Sequence, residues 1–259
     1  MSTEVSTNDL ETAATRTDHI VSGRRCDHYF FLTMAVLILG TVFLGFAKTY
    51  FLAGMFRAPL PSWVIQVHGA AFTAWTLLLI LQTSLVSAGR LDVHRRLGMA
   101  GFGLACAMVI LGAMAGTDLL RRNGATFGVN AKAFYAATLG DMVIFGTLVY
   151  FAYRARFNPS AHKRLILIAT TTLMEAAINR WPFAILERAP FMIDVFAYTF
   201  LLLLVAYDLW STRKIHRATL WGGLFLVIMQ QLELPIGKTA LWQSFASWAL
   251  ERAKSIHGG

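Results

Sequence analysis

The sequence predicts an all-α integral membrane bundle of about seven transmembrane helices, followed by a C-terminal amphipathic helix lying in the interface. Three observations predict it. Hydrophobic residues make up 56% of the 259 and charged residues only 14%, with a mean hydropathy of +0.56. Soluble domains carry about 25% charged and about 45–50% apolar residues. The apolar residues gather in runs close to the roughly 20 needed to cross about 30 Å of hydrocarbon. The cations, 23 Lys and Arg against 14 Asp and Glu, fall in the short gaps between runs, where insertion topology and anionic headgroups place them. That distribution excludes nucleic acid as the partner of the +9 net charge. The bilayer, with anionic headgroups at the cytoplasmic loops, is the expected partner.

Residues 1–27 form a polar tail ending in Arg24-Arg25. It lacks the apolar core and small-residue cleavage site of a signal peptide and is expected to be a disordered cytoplasmic segment. The bundle occupies 28–236, with runs at about 28–48, 62–87, 97–119, 131–153, 164–187, 191–210 and 218–236. Their length and the absence of period-2 alternation select helices. Polar residues interrupt the fifth and seventh runs. Thirteen Lys and Arg lie in the tail and the loops after the second, fourth and sixth runs, against seven in the other loops. This count puts the N-terminus in the cytoplasm and, with seven spans, the C-terminus outside. Residues 237–259 follow Pro235 and Gly237 and place Leu241, Phe245, Trp248 and Arg252 at helical spacing, with Trp242 and Ala249 beside that stripe. Cys26 is in the polar region and Cys106 in an apolar run, so no disulfide framework is expected.

A basic histidine step recurs at the start of the third, fifth and seventh spans. It reads LDVHRRLG from Leu91, SAHKRL from Ser160 and KIHRAT from Lys214. One reading makes Arg95, Arg96, Lys163, Arg164 and His216 interface anchors, together with Trp242 and Trp248 in the last segment. The other brings imidazoles among His68, His94 and His162 onto a metal or a haem b iron.

Ionisable residues inside spans are costly and mark functional sites by default. Here they are His68, Asp141, Glu175 and Arg180, with Asn179 one turn from Glu175 and Trp75 two turns from His68. His68, Asn179, Arg180, Asp194, Gln231 and Glu233 share the outer half of the inferred topology, and Asp141 and Glu175 lie just beneath. Either they line an outward-facing polar cavity, with His68, Trp75, Asp141, Glu175, Asn179 and Arg180 as its ligand-binding set, or they are interhelical glue in which Arg180 pairs with Asp141 or Glu175. No HExxH, GxSxG, P-loop or GxGxxG occurs, so the metalloprotease, serine hydrolase and nucleotide-binding classes lack their signatures. An enzyme is not the expected class.

The strings HGAAFTAWTLLLILQTSLVSAGRLDVHRRLG, His68 to Gly98, and HKRLILIATTTLMEAAINR, His162 to Arg180, resemble an uncharacterised family of bacterial multi-pass membrane proteins. The matching positions are His68, Phe72, Trp75, Gln82, Arg90, His94, Arg95, Gly98, His162, Arg164 and Arg180. The resemblance implies a bacterial cytoplasmic membrane and brings no substrate. Three functions are carried forward: binding or transport of a small ligand or protons through the polar cavity, haem-based redox chemistry, and membrane assembly through the C-terminal helix.

Overall fold

The computed structural model describes residues 7–56, 62–122 and 130–257, and among them every regular element is helical. Six helices are long and apolar enough to cross a membrane. The first is the Cys26–Phe51 part of α1 (Thr7–Phe46) with its π-helical last turn, Ala47–Phe51. The others are α2 (Trp63–Ser87), α3 (Leu91–Arg121), α4 (Ala131–Arg154), α8 (Met192–Thr212) and α9 (Arg217–Gly237). Between α4 and α8 the chain makes three shorter helices, α5 (Pro159–Thr172), α6 (Met174–Ile178) and α7 (Ala184–Arg188). Helix α10 (Ala240–His257) follows α9.

The single helix expected over 164–187 is therefore broken, and the cause is local. Thr170, Thr171 and Thr172 each donate a side-chain hydroxyl to the carbonyl four residues back, on Ile166, Leu167 and Ile168, at 2.8, 3.0 and 3.4 Å. Such back-bonding competes with the helical ladder and bends helices. The helix lapses at Leu173, resumes for five residues and ends for good ahead of Pro182. The broken element still runs the length of the bundle. Lys163 pairs with Asp27 at one end, and Ala177 packs its backbone on Gly45 at the other. Residues 27 and 45 are about 27 Å apart along α1 at 1.5 Å per residue. Gly45 permits this approach because any side chain there would overlap the Ala177 carbonyl.

The tail differs from expectation as well. Backbone from Thr7 to Asp27 continues α1 instead of being irregular. Its sequence contains no proline and a single glycine, so nothing in it stops a helix entering from the span. Residues 1–6 of that expected tail lie outside the described residues.

Connections use standard end chemistry. At the α2–α3 turn, Arg90 N donates to Leu85 O at 2.9 Å and Gly89 N to Val86 O at 3.1 Å, the paired bonds of a Schellman motif. Gly89 takes φ +71° there, which suits a residue without Cβ. Asn130, Asn158 and His216 cap α4, α5 and α9 through side-chain acceptors at 2.8, 3.3 and 3.0 Å from Ala133, Ala161 and Ala218 N.

Helix α10 packs mainly on the first turns of α4 and the last of α3, and Gln243 Nε2 donates to Gly237 O at the end of α9 at 2.6 Å. Ala246 and Ala249 sit against Leu120, Ala131 and Tyr135, Trp242 Nε1 donates to Lys132 O at 2.7 Å, and Lys132 Nζ to Ser247 Oγ at 2.7 Å. The face turned to the bundle is thus alanine-rich. Leu241, Phe245 and Trp248, expected together as the apolar stripe, point outward, the side a lipid interface would meet.

Candidate functional site

Helices α4 and α9 run antiparallel and close together, and this register builds a site. Gly237 packs on Ala133 and, one to two turns deeper, the Glu233 carboxyl lies directly against Gly140. A Cβ at position 140 would occupy the place of Oε1. One turn further in, Gln230 Nε2 donates to Asp141 Oδ1 at 3.1 Å and to the Thr172 carbonyl at 3.4 Å. That carbonyl belongs to the last residue of α5, where the helical ladder lapses, so the threonine triplet that breaks the helix also supplies an acceptor to the site. Glu175 follows at the start of α6. Asp141, Glu175 and Glu233 are near enough to act on one another electrostatically, and Asp194 of α8 acts on Glu175. Tyr198 of α8 accepts from Gln231 Nε2 at 3.1 Å at the edge of this group.

Three carboxyls from three helices therefore lie within electrostatic reach of one another inside the bundle. Among the described residues no Lys, Arg or His forms an ion pair with any of them. Glu233 is only 6% exposed and its Oε1 is buried with no hydrogen-bond partner. Asp141 and Glu175 are half-buried and Glu233 is buried, so carrying all three charges unpaired is costly and protonation relieves that cost.

The six residues expected in the cavity divide. Asp141 and Glu175 come together, with Glu233 and Gln230 completing their cluster. Glu233 already shares the depth of the expected set; its closeness to Asp141 depends on the facing of α9, which one helix's periodicity does not reveal. His68 and Arg180 form a second locus near the π-helical turn. His68 Nδ1 is buried without a partner, its ring lies 5.7 Å from Phe72, and Arg180 acts on it electrostatically. The Arg180 guanidinium stacks over Phe46 at 4.8 Å and donates to its own helix at Ala176 O. It pairs with neither Asp141 nor Glu175, so the interhelical ion pair expected of it is not formed. Asn179 ends α6 as its C-cap. Trp75 belongs to the core, 5% exposed, edge-on to Phe145 at 5.3 Å and bonded from Nε1 to Thr170 Oγ1 at 3.1 Å.

The anchors divide too. Arg95 and Arg96 are exposed and Trp248 faces outward, as anchors should. Arg164, expected among them, is 4% exposed and bonds Asp208 through Nε and Nη2 at 2.9 and 2.6 Å. Asp208 is fully buried and also accepts from Thr219 Oγ1 at 2.6 Å and His216 N at 3.0 Å. Breaking such a pair from one side costs about 3–5 kcal/mol, since it strands the other charge. Lys163 turns to Asp27, which also accepts from Tyr207 at 2.5 Å. His216 is a helix cap. Partial burial, and then the nearby Arg164 charge, hold its imidazole below the ordinary value of 6.5.

The three histidines proposed for metal or haem do not converge as a set. His94 and His162 face each other with ring centroids 6.5 Å apart. His68 lies at the opposite end of α2, about 21 Å from Gln82 at 1.5 Å per residue. No protein family, curated protein or solved structure matches the chain, and what it does is read from this geometry alone.

Proposed function

We propose that the chain is a membrane protein that binds and moves protons, with Asp141, Glu175 and Glu233 as its proton-carrying group and Gln230 as the residue that positions Asp141. The observation that carries this reading is the meeting of three carboxyls, without a cation, at a break in a helix that runs the length of the bundle. Discontinuous helices with ionisable groups at the break are how membrane carriers build coupling-ion sites. Carboxyls that take up protons from one side and release them to the other change the charge of the site without moving a metal or a cofactor. His68 and Arg180, nearer the end of the bundle, lie where a proton or an anionic co-substrate would enter. On the topology expected from the cation count, that end faces outward.

The deciding measurement is labelling of the purified protein by dicyclohexylcarbodiimide, a hydrophobic reagent that reacts with protonated carboxyls in apolar surroundings. Peptide mapping is expected to place the adduct on Glu233, Glu175 or Asp141, with labelling faster at lower pH. Glu233→Gln and Asp141→Asn should each slow the remaining reaction. Absence of adducts from all three positions, or labelling indifferent to pH, removes the proposal.

A further inference from the structure

The sequence repeats a histidine step, and the proton site makes no use of it. His94 of α3 and His162 of α5 face each other at the other end of the bundle, where Gln82 of α2 bonds the His94 backbone, and several of their polar atoms are left unsatisfied. His162 Nδ1 lies 2.8 Å from Ala152 O. A carbonyl only accepts, so Nδ1 carries the proton and Nε2 presents a lone pair. Gln82 Nε2 donates to His94 O at 3.2 Å, which leaves Gln82 Oε1 buried with no donor. His94 Nδ1 is also buried without a partner. Orphaned buried polar atoms are rare and call for an explanation.

We infer that these three side chains hold one transition-metal ion through the two imidazoles, with the Gln82 amide oxygen as a third donor. His162 Nε2 is a lone-pair donor and His94 Nδ1, which no partner fixes as a hydrogen-bond donor, is free to be a second; such a pair suits an electron-pair acceptor, and imidazole favours zinc, copper, nickel and iron. The His162–Ala152 bond is the outer-sphere contact that orients a ligating imidazole and fixes its tautomer. Scale agrees. Ligating nitrogens lie about 2.0–2.1 Å from zinc, so two rings on one ion have centroids about 5 Å apart at a tetrahedral angle and on the order of 6 Å apart when they face each other across it. Here the separation is 6.5 Å, with ring planes at 87°. Among the described residues no three His, Cys, Asp or Glu side chains form a metal group. The set is thus short of a closed structural site and leaves a position open.

The cations of the histidine steps would oppose a metal ion if they pointed at it. The Arg95 charge does reach His94, but the other cations are turned away or screened. Lys163 and Arg164, which follow His162, are engaged by Asp27 and Asp208, and Arg95 and Arg96 are exposed. The same donor pair suits a free ion or the iron of a haem, and one preparation separates the two.

The test is elemental analysis and an absorption spectrum of the full chain, purified after growth with added haem and metals, then dialysed against micromolar zinc or copper(I). About one metal ion per chain is expected. A Soret band identifies it as haem iron, and its absence identifies a free ion. His94→Gln and His162→Gln should lower occupancy about tenfold or more, the scale of losing a ligand or its supporting contact, while His68→Gln keeps it. A wild-type protein that holds no metal under these conditions overturns the inference, as does occupancy unchanged in both variants. Since wild-type occupancy decides by itself, a variant that fails to fold does not shelter the idea. Carbodiimide labelling of the carboxyl group reads the other end of the molecule, so the two proposals stand or fall separately.

Discussion

His216 shows how much a single side chain's role depends on neighbours that are remote in sequence. In KIHRAT it resembles His94 and His162, and headgroup anchoring would explain all three. Its Nδ1 instead accepts from Ala218 N and starts α9, an acceptor role open only to the neutral ring. Partial burial and the Arg164 charge already favour that neutral form. With the folded value below the unfolded 6.5, the unfolded chain binds more protons at pH between the two. This contribution to stability is therefore complete above 6.5 and is lost as pH falls through the window below it. Detergent-solubilised protein should unfold at a lower temperature at about pH 5 than at about pH 7.5. In His216→Asn, which can cap without titrating, that step should shrink. His216→Ala should cost about 1 kcal/mol at the higher pH, the usual worth of a cap. A pH step of equal size in wild type and His216→Asn would refute the assignment.

Among the elements, the broken fifth traverse carries the most information. Replacing Thr170, Thr171 and Thr172 together by valine removes three hydroxyls while nearly keeping shape, and should let α5 run on into α6. Backbone amides at Met174–Ala177 would then exchange more slowly with deuterium, and Gln230 would lose the Thr172 carbonyl. Unchanged exchange there would assign the break to another cause. Hydropathy located five of the six continuous spans, those of α1, α2, α4, α8 and α9, to within a few residues, because burial in lipid follows composition. It placed the start of the third span at 97, six residues late, since α3 begins at Leu91 and includes its own basic step. Hydropathy registers the apolar part of a helix, not its backbone. The break went unseen because a hydroxyl bonding to its own helix leaves no trace in a sum over side chains. The Arg164–Asp208 pair was hidden for a different reason. Its partners lie on separate helices, and only the rotation of each helix brings them together.

At the scale of the whole molecule, six helices are long and apolar enough to cross a membrane, and the seven-span topology expected from the sequence requires the broken α5–α6 segment to count as a further traverse. The His94 end carries Arg95, Arg96, Arg154, Arg156, Arg213 and Arg217, and α10 lies across the other. With Cys26 and Cys106 replaced by serine, cysteine introduced at Arg95 should react with an impermeant maleimide only after inside-out vesicles are prepared. Cysteine at Lys238 should react from the intact cell face. The reverse pattern would invert the topology, and labelling of both positions from one side would remove a traverse. The carboxyl group was partly visible in the sequence as polar residues agreeing in depth. Its composition required knowing that α9 presents Glu233 to Gly140 of α4 rather than to lipid.

The lapse at Leu173 also divides allegiances. Below it α5 packs on α4 and α9, and beyond it α6 packs on α1, with α8 touching both. Asp141 and Glu233 ride with the first group, while Glu175 rides with the second. Any sliding of α1 and α6 past α4 and α9 is therefore also a change in spacing between like charges. On the proton-binding proposal, proton load would act as a spring between two blocks of helices, slack when the carboxyls are filled and tense when they are emptied.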